Sequence, residues 1–338
     1  LAWWRVRVSS GDGKKSAWSK PQRFGVGVIG PYTLKGDYIG AVPGEGRSPL
    51  LRKRFTVEKK AGTAVLYVNS LGYHEASING EKVSGTVLTP AVSQLDKRSL
   101  VVAYDVTGLL RRGDNELLIH AGSGWYKPRT FGAVYEGPLV KAELDLFTQD
   151  GCNPVVWTDS SWEGAWSGYS DIGSWRPNGF GGERIDASTV LEWGSVDVVD
   201  PGPVVATMQM CEPCLVQEVL TPVSIEPAGE NRWIVDFGRI VNAMTAVSLP
   251  CLPAGHKTTA LYTEALREEF DRNSFGWDEF ISSGKSGGDR FESRFNHHIF
   301  RYIYLEDLPQ APDMKSIQAR RMRTGYSSVS SFKSSDEE

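Results

Sequence analysis

The residues whose types could do chemistry stand in close pairs. Glu268-Glu269 and Asp278-Glu279 set carboxyls side by side, and His297-His298 does the same with imidazoles. Cys211-Glu212-Pro213-Cys214 spaces two thiols as in a metal knuckle or a redox pair. Two carboxyls hydrolyse a glycosidic bond only when they face each other across the sugar, ~5–5.5 Å apart for retention or ~6.5–9.5 Å for inversion. Neighbours on a strand point to opposite faces. Neither acidic pair meets that geometry alone, and both are expected to be solvated loop charges. The same alternation separates His297 from His298, for which packing and edge hydrogen bonds are expected. A structural zinc site needs a second knuckle, and Cys152 and Cys251 are isolated. Free thiols are expected, with a disulfide or a metal as the alternatives. No Ser-His-Asp order, nucleophile elbow or phosphate loop occurs.

Charge excludes some partners. The formal net charge is −4, and Arg320, Arg321 and Arg323 form the one basic cluster, without an aromatic platform or a Gly-rich loop. Nucleic-acid binding is therefore not expected, and the arginines read as a solvated or domain-facing edge. No run approaches the ~20 apolar residues of a membrane span.

The elements that must position these groups are strands. Val65 to Val68 is an apolar run, and Ala76 and Ile78 alternate with Glu75 and Ser77 into Asn79-Gly80, which suits a type I′ hairpin turn. Tyr104-Asp105-Val106 leads into Thr107-Gly108-Leu109-Leu110, expected as one helical turn, and residues 116–120 form the next strand. Residues 140–147 alternate strictly, as a half-buried strand does. With 338 residues, 36 Gly, 18 Pro and no βαβ repeat, the chain reads as all-β, in tandem antiparallel sandwiches.

Residues 1–24 read as a strand, a turn and a Trp-containing edge, the remnant of a fibronectin- or immunoglobulin-like sandwich. Residues 25–49 are linker and entry loop, a first sandwich occupies 36–205, and a connection spans 197–214. A second sandwich covers 215–310, and 311–338 is an exit linker. Residues 150–182 read as loop-rich, and Trp157, Trp162, Trp166, Tyr169 and Trp175 either cover one end of the sandwich or offer flat faces to sugar rings. Covering is the expected role.

Several phrases carry a family resemblance: SLGYHEASINGEKV, LTPAVSQLDKR, YDVTGLL, GDNELLIHAGSGWY, VDFGRIVNA and ESRFNHHIFRYIYLEDLP. Together, over roughly residues 36 to 338, they resemble the two β-sandwich domains that precede the catalytic barrel of bacterial α-L-rhamnosidases. The resemblance implies a jelly-roll-like sandwich followed by a concanavalin-like one, in a polypeptide that removes terminal α-L-rhamnose from glycans or glycosides by inversion. In that family a phrase similar to Gly325 and Phe332-Lys333-Ser334-Ser335-Asp336 stands at the entrance to a C-terminal (α/α)6 barrel, which holds the catalytic carboxylates. No catalytic residue is thus expected in this chain. A bacterial origin leaves periplasmic, extracellular and cytoplasmic placement open.

Two site expectations follow. Some relatives carry a calcium-dependent rhamnose-binding module, which makes Asn79, Ser123, Trp125 and Tyr126 candidates for sugar and the vicinity of Asn79 and Pro128 a candidate for calcium, an ion that takes 6–8 oxygen ligands. Ser123 departs from the commoner Asn or Asp, and core or rim packing is the competing role for Trp125 and Tyr126. Glu264, in Thr263-Glu264-Ala265-Leu266, resembles an acidic family phrase at a domain interface or the active-site mouth. The main alternative is a free-standing lectin-like carbohydrate-binding sandwich protein, calcium-dependent or not; a purely structural adhesion module is the third reading. A supporting role for a barrel requires exposed apolar surface on the second sandwich.

Overall fold

A computed structural model describes the chain apart from residues 1, 26, 28–33, 42–46, 59–61, 128–134, 136, 149–150, 174–180, 267–275, 328–329 and 336–338. At the N-terminus β1 (Ala2–Trp4) pairs antiparallel with β2 (Gln22–Phe24), and neither adds a residue to a core. The first sandwich follows with β3 (Tyr38–Ala41), β4 (Arg47–Val57), β5 (Thr63–Leu71), β6 (Tyr73–Ile78), β7 (Glu81–Lys82) and β8 (Thr86–Val87). It continues through β9 (Arg98–Asp105), β10 (Gly113–Gly122), β11 (Leu139–Thr148), β12 (Gly151–Trp157) and β13 (Glu163–Ile172). Next come β14 (Gly182–Asp186), β15 (Gly194–Val199) and β16 (Val205–Met208). The second sandwich holds β17 (Cys214–Leu220), β18 (Ser224–Gly229), β19 (Arg232–Leu249), β20 (Lys257–Thr263), β21 (Trp277–Ile281), β22 (Asp289–Glu292), β23 (His298–Glu306) and β24 (Ile317–Thr324).

In the first sandwich one layer runs β12–β11–β5–β9–β16, with β3 bridging β11 and β15. The facing layer runs β7–β6–β10–β4–β13. Alternate residues of both layers meet in one core, where Ile39, Leu51, Leu66, Ile78, Leu117, Leu144 and Trp162 are buried. Asn79 and Gly80 take φ of 54° and 82°, the left-handed pair that a type I′ turn demands. Residues 107–110 make a single turn, closed by the Leu109 N–H on the Val106 carbonyl at 3.0 Å.

In the second sandwich β19 serves both layers. Its first part pairs with β18 and β23, its register breaks between Asp236 and Val241, and its last part pairs with β24 and β22. Phe280, Phe291, Phe300, Ile303, Leu305 and Ile317 fill the space between.

Four stretches expected as loop or linker hold strands. Residues 25–49 supply β3 and the start of β4; 150–182 supply β12 and β13; 197–214 include the second half of β15 and all of β16. Residues 311–338 are not simply an exit linker, because β24 lies among them, paired with β17 and β19 and burying Ile317 and Ala319 in the second core. β24 alternates in its first half, with arginines beside its buried residues, whereas β3 buries Ile39, Gly40 and Ala41 in succession and β12 buries Val156 alone, so no single period marked these strands.

Candidate functional site at the seam of the two sandwiches

The sandwiches are joined by strand pairing. β14 leaves the first sandwich from β13 and runs parallel to β21 of the second, Arg184 opposite Glu279 and Ile185 opposite Phe280. Only glycine permits this approach at position 182, because a Cβ there would lie 1.5 Å from the Trp277 carbonyl oxygen.

Glu183, next in the strand, is the pivot. Its N–H donates to Asp278 Oδ1 at 2.8 Å, and its carboxyl accepts the backbone N–H groups of Arg294 at 2.9 Å and Phe295 at 2.8 Å. Held so, the segment between β22 and β23 pushes Phe295 into the first sandwich. The ring meets His120 edge-on at 4.9 Å and covers Gly122, where an added Cβ would lie 2.2 Å from Phe295 Cγ. Arg294 pairs with Glu75 of β6 and lies 5.4 Å over the Tyr169 ring, whose hydroxyl donates to the Glu292 carbonyl at 2.9 Å.

Asp278 anchors the other side and is fully buried. Tyr262 donates to its carboxylate at 2.7 Å, Ser293 at 3.3 Å, and His298 Nε2 lies 3.1 Å away. His298 stacks on Tyr262 with centroids 3.9 Å apart, and glycine at 276 leaves it room, since a Cβ there would lie 2.3 Å from His298 Nδ1. Burial works to raise the Asp278 carboxyl, but His298 and the hydrogen bonds win and hold it below its ordinary value. Burial and the Asp278 charge push Glu183 the other way, up to about 8, against the pull of the two amides.

Two acids driven apart in this manner are the pattern of an acid–base pair. Their surroundings deny them that use: Asp278 is 0% and Glu183 1% exposed, and both hold together the elements around them. Asp278 and Glu279 are therefore not solvated loop charges; Glu279 is also buried and pairs with Arg184 at 2.7 Å and Lys257 at 3.4 Å. Trp277 and Phe280 on either side were the sequence signal of a buried strand, whereas nothing local marked Glu183, Arg294 or Glu75. Glu268 and Glu269 lie outside the described residues.

Of the candidate sugar residues, Ser123, Trp125 and Tyr126 lie together in one turn, the Tyr126 N–H donating to the Ser123 carbonyl at 2.9 Å, and Asn79 lies apart from them. Tyr73 packs on Gly124 at one end of β6, while Asn79 follows the other end. The Asn79 amide donates to the Leu109 carbonyl at 2.9 Å and to Asn115 Oδ1 at 3.0 Å, and its oxygen accepts the Glu116 N–H at 3.1 Å. Asn79 thus serves to fasten the turn to the loop before β10, and Pro128 lies outside the described residues. No three His, Cys, Asp or Glu among the described residues converge as metal ligands. Tyr126 is buried with Leu71, Leu95 and Leu139, Ser123 is buried beside it, and Trp125 is 37% exposed at the rim, next to the Lys127–Asp171 pair at 3.2 Å. Glu264 is exposed just beyond β20.

Trp162 is buried and donates its indole N–H to the Trp157 carbonyl at 2.8 Å, a covering role; Trp175 is outside the described residues. All four cysteines are free. His297 bonds Asn242 at 2.7 Å while His298 turns inward. Arg320 pairs with Glu292, Arg321 with Glu218 at 3.2 Å, and Arg323 with Gln217. Among the described residues no helix is long and apolar enough to cross a membrane.

Comparison with known proteins agrees with this architecture. Residues 59–226 match the family model of the α-L-rhamnosidase N-terminal domain, and residues 226–323 match that of the bacterial α-L-rhamnosidase concanavalin-like domain. An α-L-rhamnosidase of Formosa agariphila is 25% identical over 392 residues, covering 99% of this chain and 40% of its own length. One from an Alteromonas species is 27% identical over 91% of this chain and 37% of its own. The solved α-L-rhamnosidase of Dictyoglumus thermophilum shares the fold with a TM-score of 0.84 at 21% identity, over 96% of this chain and 39% of that one. The chain thus spans about 40% of the length of such relatives. It belongs to the bacterial α-L-rhamnosidase family and comprises that family's N-terminal and concanavalin-like β-sandwich domains.

Proposed function

We propose that this chain is the non-catalytic front portion of an α-L-rhamnosidase-like glycoside hydrolase. Its work is to hold two sandwiches at a fixed angle and to support a catalytic (α/α)6 barrel of the same polypeptide that cleaves terminal rhamnose from glycans or glycosides. The observation that carries the reading is the ordered match to two family domains over about 40% of the length of the relatives. Two structural facts support it: the seam acids are sealed from substrate, and the second sandwich exposes Val219, Val223, Ile240 and Ile299, apolar surface suited to a neighbouring domain.

A sugar-binding role rests on Trp125, an aromatic residue 37% exposed at the rim of the first sandwich. Glu264 belongs to the same proposal as an exposed acid facing a neighbouring domain or the mouth of its active site. Incubation with an aryl α-L-rhamnoside tests the supporting role, for which no aglycone release is expected and steady turnover is the contrary result. Calorimetric titration with L-rhamnose, with calcium and with EDTA, tests the sugar site. Absence of heat in both titrations removes it.

A further inference from the structure

Away from the seam, the tight turn between β6 and β7 holds a reactive pair of residues. Asn79-Gly80 is one of two Asn-Gly pairs in the chain, Asn178-Gly179 being the other. Such a pair is prone to deamidation: the glycine backbone nitrogen attacks the asparagine side-chain carbon, the bond to Nδ2 breaks, and ammonia leaves. Water then opens the five-membered imide to aspartate or isoaspartate. Glycine has no Cβ to hinder the attack. At Gly80 the way is clear, because the residue is exposed and no heavy atom lies within 4 Å of where a Cβ would stand. Asn79 is only half-buried, so exclusion of water does not protect it.

Geometry protects it instead. Ring closure requires the peptide between the two residues to rotate until the Gly80 nitrogen faces the Asn79 side-chain carbon. The type I′ turn opposes that rotation: Asn79 and Gly80 sit at φ 54° and 82°, with Ser77 paired to Lys82 and Ile78 to Glu81 on either side. The side chain is pinned as well. Its Nδ2 donates to the Leu109 carbonyl at 2.9 Å and to Asn115 Oδ1 at 3.0 Å, and its Oδ1 accepts the Glu116 N–H at 3.1 Å. The Asn79 N–H donates to the Glu116 carbonyl at 2.9 Å. Asn115 is itself buried and fixed by the backbone of Arg111 and Gly113. We propose that Asn79-Gly80 is a deamidation site that the folded first sandwich holds closed, and that its reaction after opening is a one-way loss of the tie between the hairpin and residues 109–116. The product has no Nδ2 to give. A carboxylate in its place meets two acceptors, the Leu109 carbonyl and Asn115 Oδ1, and keeps only the bond from the Glu116 N–H.

The test is peptide mapping by mass spectrometry of the chain incubated in neutral buffer, with and without denaturing urea. One hydrogen bond of ordinary net strength corresponds to about tenfold in an equilibrium, so native deamidation at Asn79 should run at least about tenfold slower than in urea. Asn178-Gly179 reports in urea that the chemistry is running. Equal rates at Asn79 with and without urea overturn the proposal. Asn115→Ala removes one acceptor and should speed the native reaction toward the urea rate; an unchanged rate overturns the protective role of the side-chain bonds. Should that variant not fold, the wild-type rates with and without urea decide by themselves. Asp tolerates the left-handed conformation, so Asn79→Asp isolates the change in hydrogen bonding. It should unfold at a lower urea concentration than wild type, and a midpoint equal to wild type overturns the one-way loss.

Discussion

Asp278 and Glu183 titrate in opposite directions, and the sign of each fixes how stability follows pH. The Asp278 carboxyl is depressed on folding, so its contribution is present above its ordinary value of 3.8 and lost as pH falls through its lower folded value. Glu183 is raised from 4.5 to about 8, so the folded chain keeps a proton that the unfolded chain gives up, and its contribution declines as pH climbs through that window. Urea melts across pH should show maximal stability in mildly acidic solution and a decline toward pH 8, with a slope from this site of at most about 1.4 kcal/mol per unit. Stability that still rises at pH 8 would contradict the assignment. Asp278→Ala strands Tyr262, Ser293 and the Glu183 N–H in the interior, and a loss of about 3–5 kcal/mol is expected from the same melts. Gly122→Ala must displace Phe295, with an expected loss of about 1–3 kcal/mol. A neutral result would show that Phe295 is not seated where the seam requires it.

At the scale of elements, sequence legibility followed the length of the contact. Asn79-Gly80 and the strands around it were readable because a type I′ turn and a two-residue period are local properties. β24 was not, because Arg320, Arg321 and Arg323 filled the positions between its buried residues and made a core strand look like a charged tail. The seam acids were hidden for a related reason. Glu183 reaches Asp278 across 95 positions and Arg294 reaches Glu75 across 219, so no local pattern announces that these charges are paired and dry. Asn79 stands apart from Ser123, Trp125 and Tyr126 because opposite ends of β6 separate them, a distance that motif order does not encode. Two deletions test the elements. A chain ending at residue 310 loses β24, exposes Val247 and Phe291 and should not melt cooperatively, whereas a linker would be dispensable. Removing residues 1–24, which bury nothing in either core, should leave the melting temperature within about 2 °C. A larger fall would mean that β1 and β2 support the sandwiches.

For the molecule as a whole, the parallel β14–β21 pairing, the inserted Phe295 and the Arg294–Glu75 bridge turn two sandwiches into one body. The charges best placed for acid–base chemistry are consumed in making that joint. On the proposed reading a body of this kind supports a neighbouring catalytic domain, in line with a chain that spans about 40% of its α-L-rhamnosidase relatives. The most direct test is p-nitrophenol release from p-nitrophenyl α-L-rhamnopyranoside by the purified chain, run beside a full-length relative. The account predicts release no faster than in buffer while the relative turns over. Release that grows in proportion to chain concentration and disappears in Asp278→Asn or Glu183→Gln proteins that remain folded would contradict it.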